Sequence, residues 1–180
     1  MNRWVAAVVI ALTAMWAISV VRIRADETRK DLALKQPATA STTESDEHAA
    51  ASANDGDDET RWCADSSDAP QWWQVDLGEP KDLSGVQIKW EMGDQLYLYV
   101  VEGSVDGKEW KTLSDQTGGK TPKTQVQTVN FDAGGIRYVR IRITGGIDDM
   151  HWASIFDVKV FGKSDASTEP ATQPATQPGM

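Results

Sequence analysis

Three shortages narrow the chemistry before any motif is considered. Cys63 is the only cysteine in 180 residues, so no disulfide can form within the chain. With only two histidines besides, His48 and His151, the chain lacks the nitrogen and sulfur ligands of an ordinary zinc site. Basic residues are few: 18 Lys and Arg against 27 Asp and Glu leave a formal net charge of −9. That balance excludes nucleic acid as a partner, because phosphate binding needs clustered positive charge. Catalytic arrangements are missing too, with no Ser elbow, Cys–His pair or phosphate loop. Asp148 and Asp149 are adjacent, and adjacent strand residues point to opposite faces. A glycosidase pair must instead flank a bond across about 5 to 9.5 Å. The chain reads as non-catalytic.

What is plentiful is tryptophan. Six of the eight, Trp62, Trp72, Trp73, Trp90, Trp110 and Trp152, fall in the middle of the chain and supply bulk for one core of ordinary domain size. The two ends differ from that middle. Residues 4–21, WVAAVVIALTAMWAISVV, form an uncharged apolar run with Arg3 before it and Arg22, Arg24, Arg29 and Lys30 after it. About 17 to 20 such residues cross a bilayer. The small-x-small cleavage site at Ala17-Ile18-Ser19 is weak, because Val20 and Val21 continue the run. An uncleaved N-terminal helix, with residues 1–24 as membrane anchor, fits better than a signal sequence. Residues 25–35 then read as a linker. Residues 163–180, KSDASTEPATQPATQPGM, repeat Ala-Thr-Gln-Pro and carry no core-forming pattern, so a disordered tail is expected there.

Between the ends, short alternating apolar runs are separated by Gly, Asp and Pro turns, the pattern of an all-β sandwich. Val86, Ile88 and Trp90 share one face, and Asp106-Gly107 marks a hairpin. In YVRIRI (138–143), Val139, Ile141 and Ile143 face one way, while Tyr138, Arg140 and Arg142 face the other. One stretch stands apart: SANDGDDETRW (52–62) gathers three Asp, a Glu and a Thr around Gly56. Its oxygens are the hard ligands Ca²⁺ prefers, though the spacing does not fit an EF-hand. A solvated acidic turn explains the stretch equally well on its own.

The order DGDDETRW (55–62), WWQVDLG (72–78), VQIKWE (86–91), VEGSVDGKEW (101–110), RYVRIRI (137–143) and WASIFDVKVFG (152–162) resembles the discoidin domain. That family is also called the coagulation factor V/VIII type C domain, and the subgroup most similar is carbohydrate-binding module family 32. The likeness covers residues 36–162, with Ala38-Thr39-Ala40-Ser41 resembling the first strand. It implies an eight-stranded jelly-roll β-sandwich with a galactose-binding-domain-like fold and a non-catalytic binding role. It also implies one structural Ca²⁺ held between the first loop and the last strand. The matching ligands are the Ser52 carbonyl, the Asp55 carboxylate, the Asp57 carbonyl and the Thr60 carbonyl and hydroxyl. From the last strand come the Phe156 carbonyl and the Asp157 carboxylate, where the family usually has Glu. The family pattern buries the residues matching Trp62, Trp73 and Trp110.

Sugar-binding relatives hold their ligand among loops at one end of the sandwich. A sugar needs an aromatic face and planar polar groups in a concave site. Asp148, Asp149, His151 and Trp152 form one such cluster, Trp90 and Asp94 a second, and Trp72 a further platform. For Trp90 and Trp152 a place in the core is favoured over that role, and His151 reads more readily as a surface residue than as a ligand. Arg61 and Glu91, each beside a core Trp, are expected to pair. The expected partner is carbohydrate or a cell-surface glycan, met outside the cytoplasm by a domain tethered through its N-terminal helix or secreted after cleavage. An adhesion module of the same fold that contacts a protein or the envelope and binds no sugar is the alternative.

Overall fold

The computed structural model describes residues 29–118, 122–146 and 152–163. Seven strands run through them: β1 (Ala38–Ala40), β2 (Trp62–Cys63), β3 (Gln71–Trp90), β4 (Leu98–Ser104), β5 (Lys111–Asp115), β6 (Val126–Gly145) and β7 (Ser154–Gly162). Every pairing is antiparallel. Single 3₁₀ turns at Asp46–His48 and Ala50–Ala53 are the helical content of the described residues.

The architecture depends on the two 20-residue strands. The first half of β3 pairs with β1 on one side and with the second half of β6 on the other, and β4 and β5 extend that layer. The second half of β3 pairs with the first half of β6 and with β7, to which β2 adds. Register shifts between Asp76 and Gly85 mark where β3 passes from one layer to the other. The result is an antiparallel β-sandwich. The described residues hold seven strands where eight were expected, and two of them, β3 and β6, pass through both layers. The apolar run at 4–21 and the Pro-rich tail lie outside the described residues, and among those described no helix is long and apolar enough to cross a membrane.

Alternation along the chain fills the space between the layers. Trp73, Val75 and Leu77 point inward from one half of β3, and Val86, Ile88 and Trp90 from the other. Two buried indoles find hydrogen-bond acceptors, Trp62 Nε1 on the Thr42 carbonyl at 3.0 Å and Trp73 Nε1 on that of Ala50 at 2.8 Å. Truncating a buried Trp of this kind costs about 3 to 5 kcal/mol. Residues 31–35, which composition alone places in a linker, lie against the sandwich. Leu32 N–H donates to the Val160 carbonyl, the Asp31 carboxylate accepts from Val160 N–H, and Ala33 is fully buried.

Candidate functional site

One end of the sandwich gathers the connections 64–70 and 91–97 and, among the described residues, Gly146 and Trp152–Ala153 around the starts of β3, β4 and β7. Hydrogen bonds stitch them together: Ala64 N–H to the Ala153 carbonyl and Glu91 N–H to that of Ser154. Gly146 lies so close to the Leu96 carbonyl that a Cβ would have no room, and its φ of 85° suits glycine. Of the expected ligand-contacting residues, the described Asp94 and Trp152 lie at this end. Asp94 is exposed in it, and Trp152 is 37% exposed beside β7. Trp72 is half-buried on the outer face of β3. Asp148, Asp149 and His151 lie outside the described residues.

Trp90 does not belong among the ligand contacts. Its side chain is fully buried, stacked on Tyr97 with centroids 4.0 Å apart and met edge-on by Tyr99 at 5.2 Å. It ends an inward-facing row, so the alternation that places Ile88 in the core places Trp90 there too. Arg61 and Glu91 do pair: Arg61 Nε lies 3.1 Å from Glu91 Oε1, close in charge but off the axis of a hydrogen bond. Burial pushes the Tyr97 phenol above its usual range.

The acidic loop brings several of the expected oxygens together. Thr60 Oγ1 lies 3.2 Å from the Ser52 carbonyl, 2.8 Å from Asp55 Oδ2 and 3.1 Å from the Asp57 carbonyl. Asp55 Oδ1 also accepts Asp57 N–H, which closes the turn. β2 pairs with β7 through Trp62 and Ile155, and that register continued outward sets Thr60 opposite Asp157. Lys89 Nζ, 3.0 Å from Asp58 Oδ1, ties the loop to β3 beside Phe156. Asp157 is largely buried, and burial pushes its carboxyl up to about 6, with Asp31 and Asp58 adding repulsion against the relief from Lys159. Among the described residues no three His, Cys, Asp or Glu side chains gather into a metal cluster. The oxygens gathered on Thr60 are two carbonyls, its own hydroxyl and one carboxylate, hard donors of the kind Ca²⁺ accepts. A transition metal would want imidazole or thiolate.

A third cluster was not foreseen. On the outer face of the first layer, Arg140 Nε and Arg142 Nε donate to the two oxygens of Glu102 at 2.7 and 3.0 Å. The Arg140 guanidinium stands 3.9 Å over the Trp110 ring and 6.0 Å from that of Trp72. Trp110 is thus half-buried on the outside, not in the core, because β5 is the edge strand and the indole precedes it. The outward row of YVRIRI was the available signal. What the sequence did not show is that the row meets Trp110.

These features define a class: an antiparallel β-sandwich whose two long strands serve both layers, with an acidic loop leading into β2. The pattern of the F5/8 type C domain matches residues 37–158, and the chain belongs to that family. Its fold is similar to chitosan-binding module 1 of a chitosanase/glucanase from Paenibacillus sp. IK-5, at 29% identity and a TM-score of 0.67 over 74% of this chain and 99% of that module. The family 32 carbohydrate-binding module of AlyQ, solved with 4,5-unsaturated mannuronic acid, is 28% identical with a TM-score of 0.58 over 69% of this chain and 93% of that one. The polysaccharide lyase 8 family protein HylA of Enterococcus faecalis is 30% identical over 92 residues, which are 49% of this chain and 6% of that protein. This chain therefore spans a small fraction of that relative's length.

Proposed function

We propose that the chain is a non-catalytic module that recognises carbohydrate at its loop-bearing end. In this reading residues 1–24, through their apolar run at 4–21, tether it to a membrane, with the sandwich outside the cytoplasm. The observation that carries the sugar reading is the exposed Trp152 indole, at the same end of the sandwich as the exposed Asp94 carboxylate. An aromatic face flanked by planar polar groups is what a pyranose needs. The solved relatives that bind chitosan and an unsaturated uronic acid support the class of ligand. Charge separates those two chemistries: Asp65, Asp68 and Asp94 lie in the connections at this end, where Arg61 already offsets Glu91. An uncharged or amino sugar suits it better than a uronate.

Ca²⁺ belongs to the same proposal. The Ser52, Asp57, Thr60 and Phe156 carbonyls, the Thr60 hydroxyl and the Asp55 and Asp157 carboxylates would hold it. Bound, the ion supplies a positive charge that ties the start of the domain to its end. A ligand held only by the folded state stabilises by mass action, about 2.7 kcal/mol at a concentration 100-fold above Kd.

The test is a glycan screen of the full chain with and without Ca²⁺, read with Trp152→Ala. Glycan hits that Trp152→Ala weakens about ten-fold, with the thermal midpoint held, support the sugar site. A screen with no hit sinks it and leaves the fold to contact a protein or the envelope. Chelation that leaves the midpoint unmoved refutes the Ca²⁺ proposal independently.

A further inference from the structure

The hairpin joining β4 to β5 encloses a concavity of about 390 Å³, lined by Gly103–Val105 and by Asp106, Glu109, Trp110 and Lys111. It sits at the far end of β4 from the ligand loops. Leu98 starts that strand opposite Gly145, and Ser104 ends it opposite Tyr138. Over its 7 residues the separation is about 20 Å at roughly 3.3 Å per residue.

The hairpin is rigid. Asp106 Oδ1 accepts N–H groups from Lys108 at 2.9 Å and Glu109 at 3.0 Å, and Ser104 Oγ accepts Gly107 N–H at 2.9 Å. Gly107, at φ 74°, takes the left-handed conformation the turn requires. The indole is fixed from one face as well. Arg140 lies over it, and Arg140 is itself held by Glu102, which is 7% exposed. A buried carboxylate gripping two arginines is costly to build unless its geometry is used. Here it fixes one aromatic ring at the wall of a concave surface.

The groups around that ring remain available. Among the described residues, Trp110 Nε1, the Glu109 carboxylate and the Lys111 ammonium make no hydrogen bond or ion pair, and Val105 beside them is 60% exposed. One indole, one N–H donor, one carboxylate acceptor and one ammonium donor on a stiff turn match the needs of a pyranose ring. Preorganisation keeps the ordering cost of binding low.

We infer that the β4–β5 hairpin is a second saccharide-contacting site, with Trp110 as platform and Glu109 and Lys111 gripping hydroxyls. It rests on the reading of the chain as a glycan-binding module and adds to it that the module engages a polysaccharide at two points. On this turn Asp106 and Glu109 are matched by Lys108 and Lys111, so the hairpin carries no net charge against an uncharged or amino sugar. Two linked contacts on one polymer raise avidity without strengthening either contact.

The test titrates the ¹⁵N-labelled full chain, held in a detergent with no sugar headgroup, with three oligosaccharides: a chitosan trimer, a neutral glucan trimer and a uronate trimer. Saturable shifts of the Gly103, Gly107 and Lys111 amides are expected with the first or second. Trp110→Ala should abolish them and leave those of Gly146 and Ala153. Trp110→Ala also strips the ring from under Arg140, so Glu109→Gln and Lys111→Ala, which touch no core, must weaken the same shifts. On immobilised polymer, Trp110→Ala should lower apparent affinity about ten-fold or more, with trimer affinity at the loop end unchanged. Shifts confined to the loop end overturn the second site and leave the first standing. Shifts nowhere, with all three sugars, overturn both.

Discussion

Glu102→Gln tests whether the outer-face cluster holds the sheet together or merely decorates it. Glu102 sits on β4 with a side chain 9% exposed, accepting Arg140 Nε at 2.7 Å and Arg142 Nε at 3.0 Å. Gln keeps the shape but turns one acceptor oxygen into an NH₂ that faces a guanidinium donor. One charge-assisted hydrogen bond, worth about 1.5 to 3 kcal/mol, is lost. Two guanidinium groups also lose their shared counter-charge. The Arg142 side chain is 33% exposed, so water screens much of that repulsion, whereas Arg140 is only 18% exposed. The Arg140 bond therefore dominates, and the net loss is about 2 kcal/mol. With a urea slope of about 1 to 3 kcal/mol/M, the unfolding midpoint should fall by about 1 M. A double-mutant cycle with Arg140→Met should give a coupling of about 1 kcal/mol or more. A midpoint within about 0.2 M of wild type, or additive single effects, would refute the account.

Acid should loosen the same layer at a second pair. The Arg137 guanidinium, donating to both Asp76 oxygens at 2.8 and 2.7 Å, holds that carboxyl down to about 2 from 3.8. The folded value is the lower one, so its contribution is present above 3.8 and disappears as pH falls through about 2. Asp76→Asn should flatten stability across that window in acid titrations, and an unchanged slope counts against the pair. Cys63 is buried and, mainly through that burial, its thiol is pushed up to about 11. A thiol reagent at pH 8 should label it only after denaturant is added, and fast native labelling would contradict its placement. Trp90→Ala, which empties the space beside Tyr97 and Tyr99, should cost about 3 to 5 kcal/mol and lower the thermal midpoint. A variant that kept its midpoint and lost only ligand binding would return Trp90 to the surface.

The β class was legible because alternation is a short-range signal. WWQVDLG and VQIKW each write one face in apolar residues, and burial follows those letters from Trp73 to Leu77 and from Val86 to Trp90. The same rule should have removed Trp90 from the ligand candidates, since it shares a face with Ile88. Strand count was less legible. Nothing in residues 77–82 announces that one strand continues through a bend and changes layer, because the register shifts there are set by partners on β6 and β7. The acidic loop was legible in kind. Its oxygens gather on Thr60 through local hydrogen bonds spanning at most 8 residues. The link to Asp157 that we propose is non-local and depends on recognising the family.

Trp110 shows where such reading fails, and the failure is physical. The indole lies one residue before an edge strand, so alternation gives it no partner on the far side to decide which way it faces. Its position is fixed instead by Arg140, held by Glu102, and both lie on other strands. A family pattern that buries the matching residue sends it inward. This chain keeps it outside, because a guanidinium with a buried counter-charge offers the ring a face without requiring the core to make room. Where local pattern is silent, family likeness points inward and the side chain still lies outside, the compensating contacts carry the information. Here those contacts lead from a buried carboxylate through one arginine to a ring at the wall of an open concavity.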